Sequence, residues 1–356
     1  MTLTSYRTLG RSGLVVSPLC LGTMTMGTPR WGSPDDVSEA IFNAYIDAGG
    51  NFLDTADTYA NGRSEELIGQ YIAARDLRDR VVLATKFTMT CDAQKGNPNG
   101  SANGRKNLHR ALDASLKRLG TDYIDLYWMH AWDTVTPAEE VLQSLTDLVR
   151  AGKIRYYGFS DVPAWYAAKV ATLAQAHALP APIALQLEYT LVERAIEREH
   201  VDCAREFGIG ITPWSPLASG FLAGKYTRED DGKGSGEGRL SVLGGGPNPV
   251  FHKYTEKNWA TLDAVRSVAE EIGKPMAQVA LAWALARPAI SSLIIGATKV
   301  AQLQDNIASL EVSLTPAQMD TLNAAGAPDL LHPYMFFTGM LHRERVFGGT
   351  DVQGWQ

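Results

Sequence analysis

An acid, a base and two groups able to pass a proton stand within the first 130 positions of this 356-residue chain: Asp54, Lys86, Tyr59 and His130. Three of them end short apolar runs. Asp54 closes Asn51-Phe52-Leu53-Asp54, Lys86 closes Val81-Val82-Leu83-Ala84-Thr85-Lys86, and His130 closes Tyr123-Ile124-Asp125-Leu126-Tyr127-Trp128-Met129-His130. Tyr59 follows the first run, in Asp54-Thr55-Ala56-Asp57-Thr58-Tyr59. Side chains alternate along a strand, so Phe52 shares a face with Asp54, as Val82 and Ala84 do with Lys86. With the apolar members turned inward, both charges would emerge at one end of neighbouring strands. They are expected to pair there, because an isolated buried charge is expensive and a paired one tolerable. A tyrosine with its ordinary pKa of about 10 holds its proton too firmly to be an ideal acid near neutrality. The Lys86 ammonium is expected to lower that pKa, and His130 could orient a substrate oxygen by a hydrogen bond. Together the groups suit proton transfer to a carbonyl oxygen as a hydride arrives at its carbon. Taken singly, each has an ordinary structural explanation: a helix cap, a solvated charge, a packed ring. The joint pattern is what argues for chemistry.

Such residues must be carried by a repeating scaffold, and the chain supplies one. Short apolar runs alternate with amphipathic helical stretches. The first run is 19–22, with a helix from Asp35 or Asp36 to the Gly49-Gly50 stop. The runs ending at Asp54, Lys86 and His130 are followed by helices over about 64–75, 105–119 and 137–150. Next come Ile154–Ser160 with a helix near 163–177, 183–186 with a helix near 196–207, and 210–214. The last run, 292–296, precedes a helix over 300–310. Eight strand-then-helix units predict a closed parallel (β/α)8 barrel, in one domain spanning 1–356. A doubly wound open sheet is the alternative. Decorations are expected as an N-terminal β-hairpin over residues 1–16 that plugs the barrel floor, extra helices at 258–273 and 276–287, and a C-terminal extension over 327–356. A long stretch, 217–257, holds the glycine-rich segment 231–248, readable as a flap or as a disordered insertion.

Bulk properties narrow the function classes. Hydrophobic residues make up 45% and charged residues 20%, ordinary for a globular protein with a sizeable core. The net charge of −6, without a long Lys/Arg run, argues against nucleic acid or an anionic membrane as partner. No apolar stretch approaches the roughly 20 residues of a membrane span, and the N-terminus lacks a signal-peptide core. Cys20, Cys91 and Cys203 lack CxxC spacing and read as reduced thiols in a cytoplasmic protein, with no metal site.

The ordered motifs Gly50-Asn51-Phe52-Leu53-Asp54-Thr55-Ala56, Gly62-Arg63-Ser64-Glu65, Ala84-Thr85-Lys86, Asp122-Tyr123-Ile124-Asp125-Leu126-Tyr127, Gly152-Lys153-Ile154-Arg155-Tyr156-Tyr157-Gly158, Pro213-Trp214-Ser215-Pro216-Leu217 and Gly296-Ala297-Thr298-Lys299 carry a resemblance. Across nearly its whole length the chain resembles the aldo-keto reductase superfamily, more its bacterial and potassium-channel-β-like branches than the steroid reductases. The resemblance implies a barrel that binds a nicotinamide cofactor without a Rossmann domain. No GxGxxG lies between a strand and a helix here. It places the catalytic tetrad on Asp54, Tyr59, Lys86 and His130, with Tyr59 the general acid in carbonyl reduction. It also implies Gly22, Thr23 and Met24 near the nicotinamide, Asp54 among the cofactor-binding residues, and Ser160, Asp161 and Gln186 around the nicotinamide carboxamide. Trp214 would stack on the ring; Ser215, Leu217 and Ser219 would approach the pyrophosphate. Gly296, Thr298, Lys299, Gln302, Asp305 and Asn306 would hold the adenosine end.

Two departures from the family pattern matter. Asp161 stands where many members carry Asn, and an ionised Asp cannot donate a hydrogen bond. Gln302 stands where steroid reductases carry an Arg, leaving Lys299 to meet a 2′-phosphate as a point charge. The cofactor is therefore expected to be NADPH/NADP+ in preference to NADH. Loops carrying Met24, Met26, Trp31, Phe87 and Trp132, with Phe336 and Phe337 of the extension, are expected to wall an apolar pocket for a carbonyl or alcohol substrate. The reading is an NAD(P)H-dependent carbonyl reductase or alcohol dehydrogenase. The alternative is a nucleotide-binding, redox-sensing regulatory subunit. The substrate, the direction of reaction and the oligomeric state are left open.

Overall fold

The structure is a computed structural model that describes residues 1–28, 32–230, 238–243 and 246–352. Eight parallel strands form one sheet: β3 (Leu19–Gly22), β4 (Phe52–Asp54), β5 (Val82–Phe87), β6 (Ile124–Met129), β7 (Ile154–Ser160), β8 (Ala184–Gln186), β9 (Gly210–Ile211) and β10 (Leu293–Ile295). They pair in chain order, and β10 pairs with β3. Hydrogen bonds from Ile211 N to Ala289 O, Ser291 N to Ile211 O and Ile294 N to Pro213 O join β9 to the β10 segment and close the ring. The result is the (β/α)8 barrel, with helices around it.

Strand alternation organises the interior. Cys20, Phe52, Val82, Ala84, Leu126, Trp128, Ala184 and Ile294 pack inside the barrel. Leu21, Leu53, Leu83, Tyr127, Phe159 and Leu185 face the helix layer. The N-terminal hairpin, β1 (Arg7–Thr8) and β2 (Val15–Val16), adds Leu9, Leu14 and Val16 to the interior cluster. Arg11 N donates to Gly208 O at 2.6 Å, and a Cβ on Gly10 would lie 2.6 Å from backbone atoms of Ile183, Gly208 and Gly210. The hairpin therefore plugs the N-terminal end, as expected.

The barrel helices are α1 (Asp35–Asp47), α2 (Arg63–Ala74), α3 (Arg105–Leu119), α4 (Ala138–Arg150), α5 (Ala164–Ala176) and α6 (His200–Phe207). Acidic residues occupy the first turns of α1, α2 and α4, where they complement the helix dipole. Glycines in the left-handed region stop α3 and α6, at Gly120 (φ 63°) and Gly208 (φ 68°). After β9 come α7 (Arg239–Leu243), α8 (Glu256–Ile272), α9 (Met276–Leu285), α10 (Val300–Ala308), α11 (Pro316–Ala325) and α12 (Gly339–Val346).

Two expected bounds need correction, and two stretches whose structure the sequence leaves open gain helices. Residues 195–198 form a separate 3-10 turn, so α6 starts at His200; the turn is held by Glu197, which pairs with Arg194 and Arg287 and accepts from Tyr189. The ladder of β9 covers only Gly210–Ile211, shorter than 210–214. Pro213 brings no N–H, although Thr212 and Trp214 still donate to β8-side carbonyls. The glycine-rich stretch 231–248 contains a helical turn, α7; residues 231–237 and 244–245 lie outside the described residues. The extension carries α12, whose side chains include no buried residue. Cys20, Cys91 and Cys203 are free thiols. Among the described residues, no helix is long and apolar enough to cross a membrane.

Candidate active site

The inward parity that fills the barrel continues to its C-terminal end. Gly22, Asp54, Lys86, His130, Ser160 and Gln186 are the next inward positions beyond Cys20, Phe52, Ala84, Trp128, Gly158 and Ala184. Alternation alone therefore brings the strand-end polar groups to one mouth, where barrels of this type keep their chemistry.

At the centre, Lys86 is 0% and Asp54 2% exposed. Lys86 Nζ donates to Asp54 Oδ2 at 2.5 Å, to Thr55 O at 2.8 Å and to the Tyr59 hydroxyl at 3.2 Å. An ammonium has three protons and no acceptor, so all three are committed. The Tyr59 oxygen accepts from Lys86, which leaves its own proton free to point elsewhere. Gln186 Nε2 donates to Asp54 Oδ1 at 3.0 Å, completing the second carboxylate oxygen. The His130 ring meets the Tyr59 ring edge-on, with centroids 6.0 Å apart. Its Nδ1 is buried without a hydrogen-bond partner among the described residues.

Charge states follow from this packing. Burial opposes the charge on Lys86, but Asp54 and Tyr59 beside it outweigh burial, and its pKa is raised. Burial and then the Lys86 charge both depress His130 well below the usual imidazole value, so the ring is neutral. For Tyr59 the expectation needs correction. Burial dominates and raises its pKa; Lys86 pulls down, but less than burial pushes up. The phenol is thus a protonated acid in the resting site, and the ammonium is placed to receive its charge once the proton leaves.

The loops around this centre are strained. Ala60, Asn61, Thr88, Asp161, Ser215, Ala218 and Ser219 all carry positive φ without being glycine, a cost that clusters where geometry is functionally constrained. Thr23 is buried, and its hydroxyl meets Asp54 O at 3.1 Å and the Ser64 hydroxyl at 2.8 Å; it braces the Asp54 turn. Met24 lies next to it, half-buried. Asp161 Oδ1 accepts from the Trp214 indole at 3.1 Å. Its side chain reaches solvent at the rim, yet the surrounding protein raises its carboxyl to about 6, against the pull of Trp214 and Lys86. Ser215, Leu217 and Ser219 form the tight turn after Trp214, where Ser219 N donates to Ser215 Oγ.

Farther round the mouth, Gly296 is exposed, with nothing within 4 Å of where a Cβ would lie. Gln302 Oε1 accepts from Thr298 N and its hydroxyl, shaping the start of α10, with Lys299 exposed at the N-cap. Asn306 Nδ2 donates to Gly296 O at 3.4 Å, and Asp305 is exposed on the same helix. Exposed polar groups thus gather at the start of α10, a helix N-terminus that suits an anionic group.

The expected substrate wall is only partly brought together. Trp132 is half-buried at the mouth and packs edge-on against Trp165, with Tyr166 beside both. Phe87 is the opposite case. One residue after Lys86, it has the opposite parity and is fully buried, stacked on Tyr127 in the helix layer. Met26 is likewise fully buried in that layer. Neither lines the mouth. Phe336 and Phe337 are exposed, with ring contacts to His332 and Tyr334 within the extension, which Tyr334 ties to Glu199. Trp31 lies outside the described residues.

Two residues were not foreseen. Arg239, on α7, is brought close enough to the Tyr59 hydroxyl for each to act on the other's charge. Its only sequence signal is position, at the start of Leu240-Ser241-Val242-Leu243 beyond the glycines. Trp165, half of the aromatic pair at the rim, read as one more helix residue.

Comparison with known proteins agrees with this geometry. Residues 18–327 match the model of the Aldo/keto reductase family. Among similar proteins, norsolorinic acid reductase B of Dothistroma septosporum is 34% identical over 94% of this chain and 85% of its own length. An aryl-alcohol dehydrogenase of Pestalotiopsis microspora is 33% identical over 94% of this chain and 86% of its own. The protein named "Probable voltage-gated potassium channel subunit beta" of Oryza sativa subsp. japonica is 37% identical over 90% and 95%. An oxidoreductase scaffold with these relatives leaves one assignment: the chain belongs to the aldo/keto reductase family.

Proposed function

We propose that the protein is an NAD(P)H-dependent oxidoreductase that reduces aldehydes or ketones to alcohols, or runs the reverse reaction. A bound nicotinamide supplies or accepts the hydride. The observation that carries the reading is the Tyr59–Lys86–Asp54 chain, closed by hydrogen bonds at 3.2 and 2.5 Å. In reduction, Tyr59 gives its proton to the carbonyl oxygen, and the Lys86 ammonium stabilises the phenolate left behind. Asp54 holds Lys86 charged and in place. His130, kept neutral, donates from one ring nitrogen to the same oxygen and orients it without adding a competing charge.

Ser160, Asp161 and Gln186 are suited to the carboxamide. An ionised Asp161 accepts from the amide NH2 there, which removes the difficulty raised by the missing Asn. Trp214 is suited to stacking on the ring. Ser215, Leu217 and Ser219 are suited to the pyrophosphate, with Arg239 as a further cation at that end. Gly296, Thr298, Lys299, Gln302, Asp305 and Asn306 frame the adenosine end, where Lys299 favours NADPH. Trp132 and Trp165 favour a hydrophobic or aromatic substrate. A second reading, a nucleotide-binding redox-sensing subunit, is favoured by the similarity to the rice protein.

The test is consumption of NADPH over a panel of aldehydes, ketones, quinones and sugars, with alcohols and NADP+ in reverse. Turnover of aromatic carbonyls or alcohols is expected. A panel without turnover, combined with tight NADPH binding, would select the second reading.

A further inference from the structure

Behind the tetrad, on the helix side of the segment 54–65, lies a second cluster of charged groups that the reaction above does not use. It surrounds a cavity of about 380 Å³ between the loop after β4, the loop after β5 and helix α3. Asp57, Cys91, Arg110 and Arg118 line it, together with the methyl groups of Ala93, Ala111 and Ala114. Asp57 is 3% exposed, and its Oδ1 has no hydrogen-bond partner among the described residues. Arg110 spends one terminal nitrogen on Gly100 O and Asn107 Oδ1, while its buried Nε has no partner. Arg118 spends its Nε on the fully buried Glu65, at 2.6 Å. A buried acceptor and a buried guanidinium donor are thus left unsatisfied around one cavity, an arrangement that is costly unless something meets them.

We propose that this cavity binds a small organic carboxylate, whose oxygens meet Arg110, Arg118 and the Asp57 carboxyl while its short hydrocarbon part rests on the three alanines.

Charge balance selects a monoanion. Asp57, Glu65 and Asp92 face Arg110, Arg118 and Lys95, so the cluster is neutral when every group is ionised. Protonating Asp57 leaves one positive charge and turns the orphaned acceptor into a donor aimed at an oxyanion. Burial and then Glu65 already raise this carboxyl to about 7, with Arg118 and Arg110 opposing. The other titratable neighbours do not compete: burial pushes the Cys91 thiol up to about 11 and raises Tyr127 well above its ordinary value, so both stay neutral. The alanine floor distinguishes an organic acid from inorganic phosphate, and the guanidinium groups distinguish it from a neutral amide. The argument is independent of the reaction assigned to the tetrad.

Cys91 gives the site its own reporter. Its sulfur lies 3.2 Å from Asp57 O and is half-buried at the cavity, whereas Cys20 is sealed inside the barrel. The full chain is treated with iodoacetamide, and the Cys91 peptide is quantified by mass spectrometry with propionate, propionamide or inorganic phosphate present. Propionate is expected to slow Cys91 modification several-fold, at concentrations where propionamide and phosphate do not. Its apparent affinity should weaken about tenfold per pH unit above pH 7, because binding takes up the Asp57 proton. Arg110→Gln should abolish protection while Cys20 stays unmodified, which certifies the fold. Asp57→Asn, which keeps a donor at that position, should retain protection and lose its pH dependence. Absence of protection by propionate, equal protection by propionamide or phosphate, or protection that survives Arg110→Gln would overturn the proposal. If Arg110→Gln unfolds and exposes Cys20, the Asp57→Asn pH profile decides: an unchanged profile rejects the site.

Discussion

Two buried charge clusters flank the same twelve residues, 54–65, and they are built on opposite principles. On the barrel side, Asp54 and Lys86 are saturated: each carboxylate oxygen and each ammonium proton has a partner. On the helix side, Glu65 and Arg118 pair, but Asp57 and Arg110 keep unsatisfied atoms. The first cluster fixes charge in place, so that a proton can leave Tyr59 into a prepared field. The second leaves slack, and slack is what allows a group to titrate near neutrality. Parity makes the difference. Asp54 continues the inward alternation of β4, whereas Asp57 lies past the strand end, where the chain turns outward beneath α3.

Breaking the saturated side should cost most. Lys86→Met leaves Asp54 buried without its cation, and loss of a buried pair costs about 3–5 kcal/mol. Chemical denaturation should report a destabilisation of that order, and turnover should fall below detection. His130→Gln keeps a hydrogen-bond donor but moves it; kcat should fall about 10²-fold with little change in stability, measured by steady-state kinetics and melting temperature. A loss of stability equal to that of Lys86→Met would mean that His130 is structural.

On the slack side the effect should be smaller and pH-dependent. The folded-state pKa of Asp57, about 7, lies above the ordinary carboxylate value of 3.8, so the folded protein binds the extra proton. The stability cost is absent below the ordinary value, grows as pH rises through this window, and is complete above pH 7. Asp57→Asn should therefore raise the melting temperature at pH 8 and leave it unchanged at pH 4. An equal shift at both would contradict a titrating Asp57. The smallest expected effect is Lys299→Ala, which should raise the KM for NADPH a few-fold more than that for NADH. Equal changes would remove Lys299 from the 2′-phosphate.

The comparison also explains what could be read from the chain. Asp54, Lys86, His130, Ser160 and Gln186 were legible because period-two alternation carries a strand-end residue to a known face. Phe87 was misplaced by proximity to Lys86, when the same alternation assigns it to the helix layer. Met26 misled for a related reason: a loop residue beside the mouth can still turn into the core. The net rise in the Tyr59 pKa was not legible, because it depends on how completely the mouth buries the phenol. Arg239 and Asp57 were hidden by long-range folding. One lies on α7, about 180 residues beyond Tyr59 in sequence, and the other needs α3, about fifty residues away, to complete its surroundings.

The central claim, that Tyr59 is the proton donor and Lys86 its electrostatic support, is tested most directly by Tyr59→Phe. Phenylalanine keeps the ring and removes only the hydroxyl. NADPH binding, followed by quenching of tryptophan fluorescence, should stay within a few-fold of the parent, while kcat falls by about 10²–10⁴. Near-normal turnover in Tyr59→Phe would contradict the account.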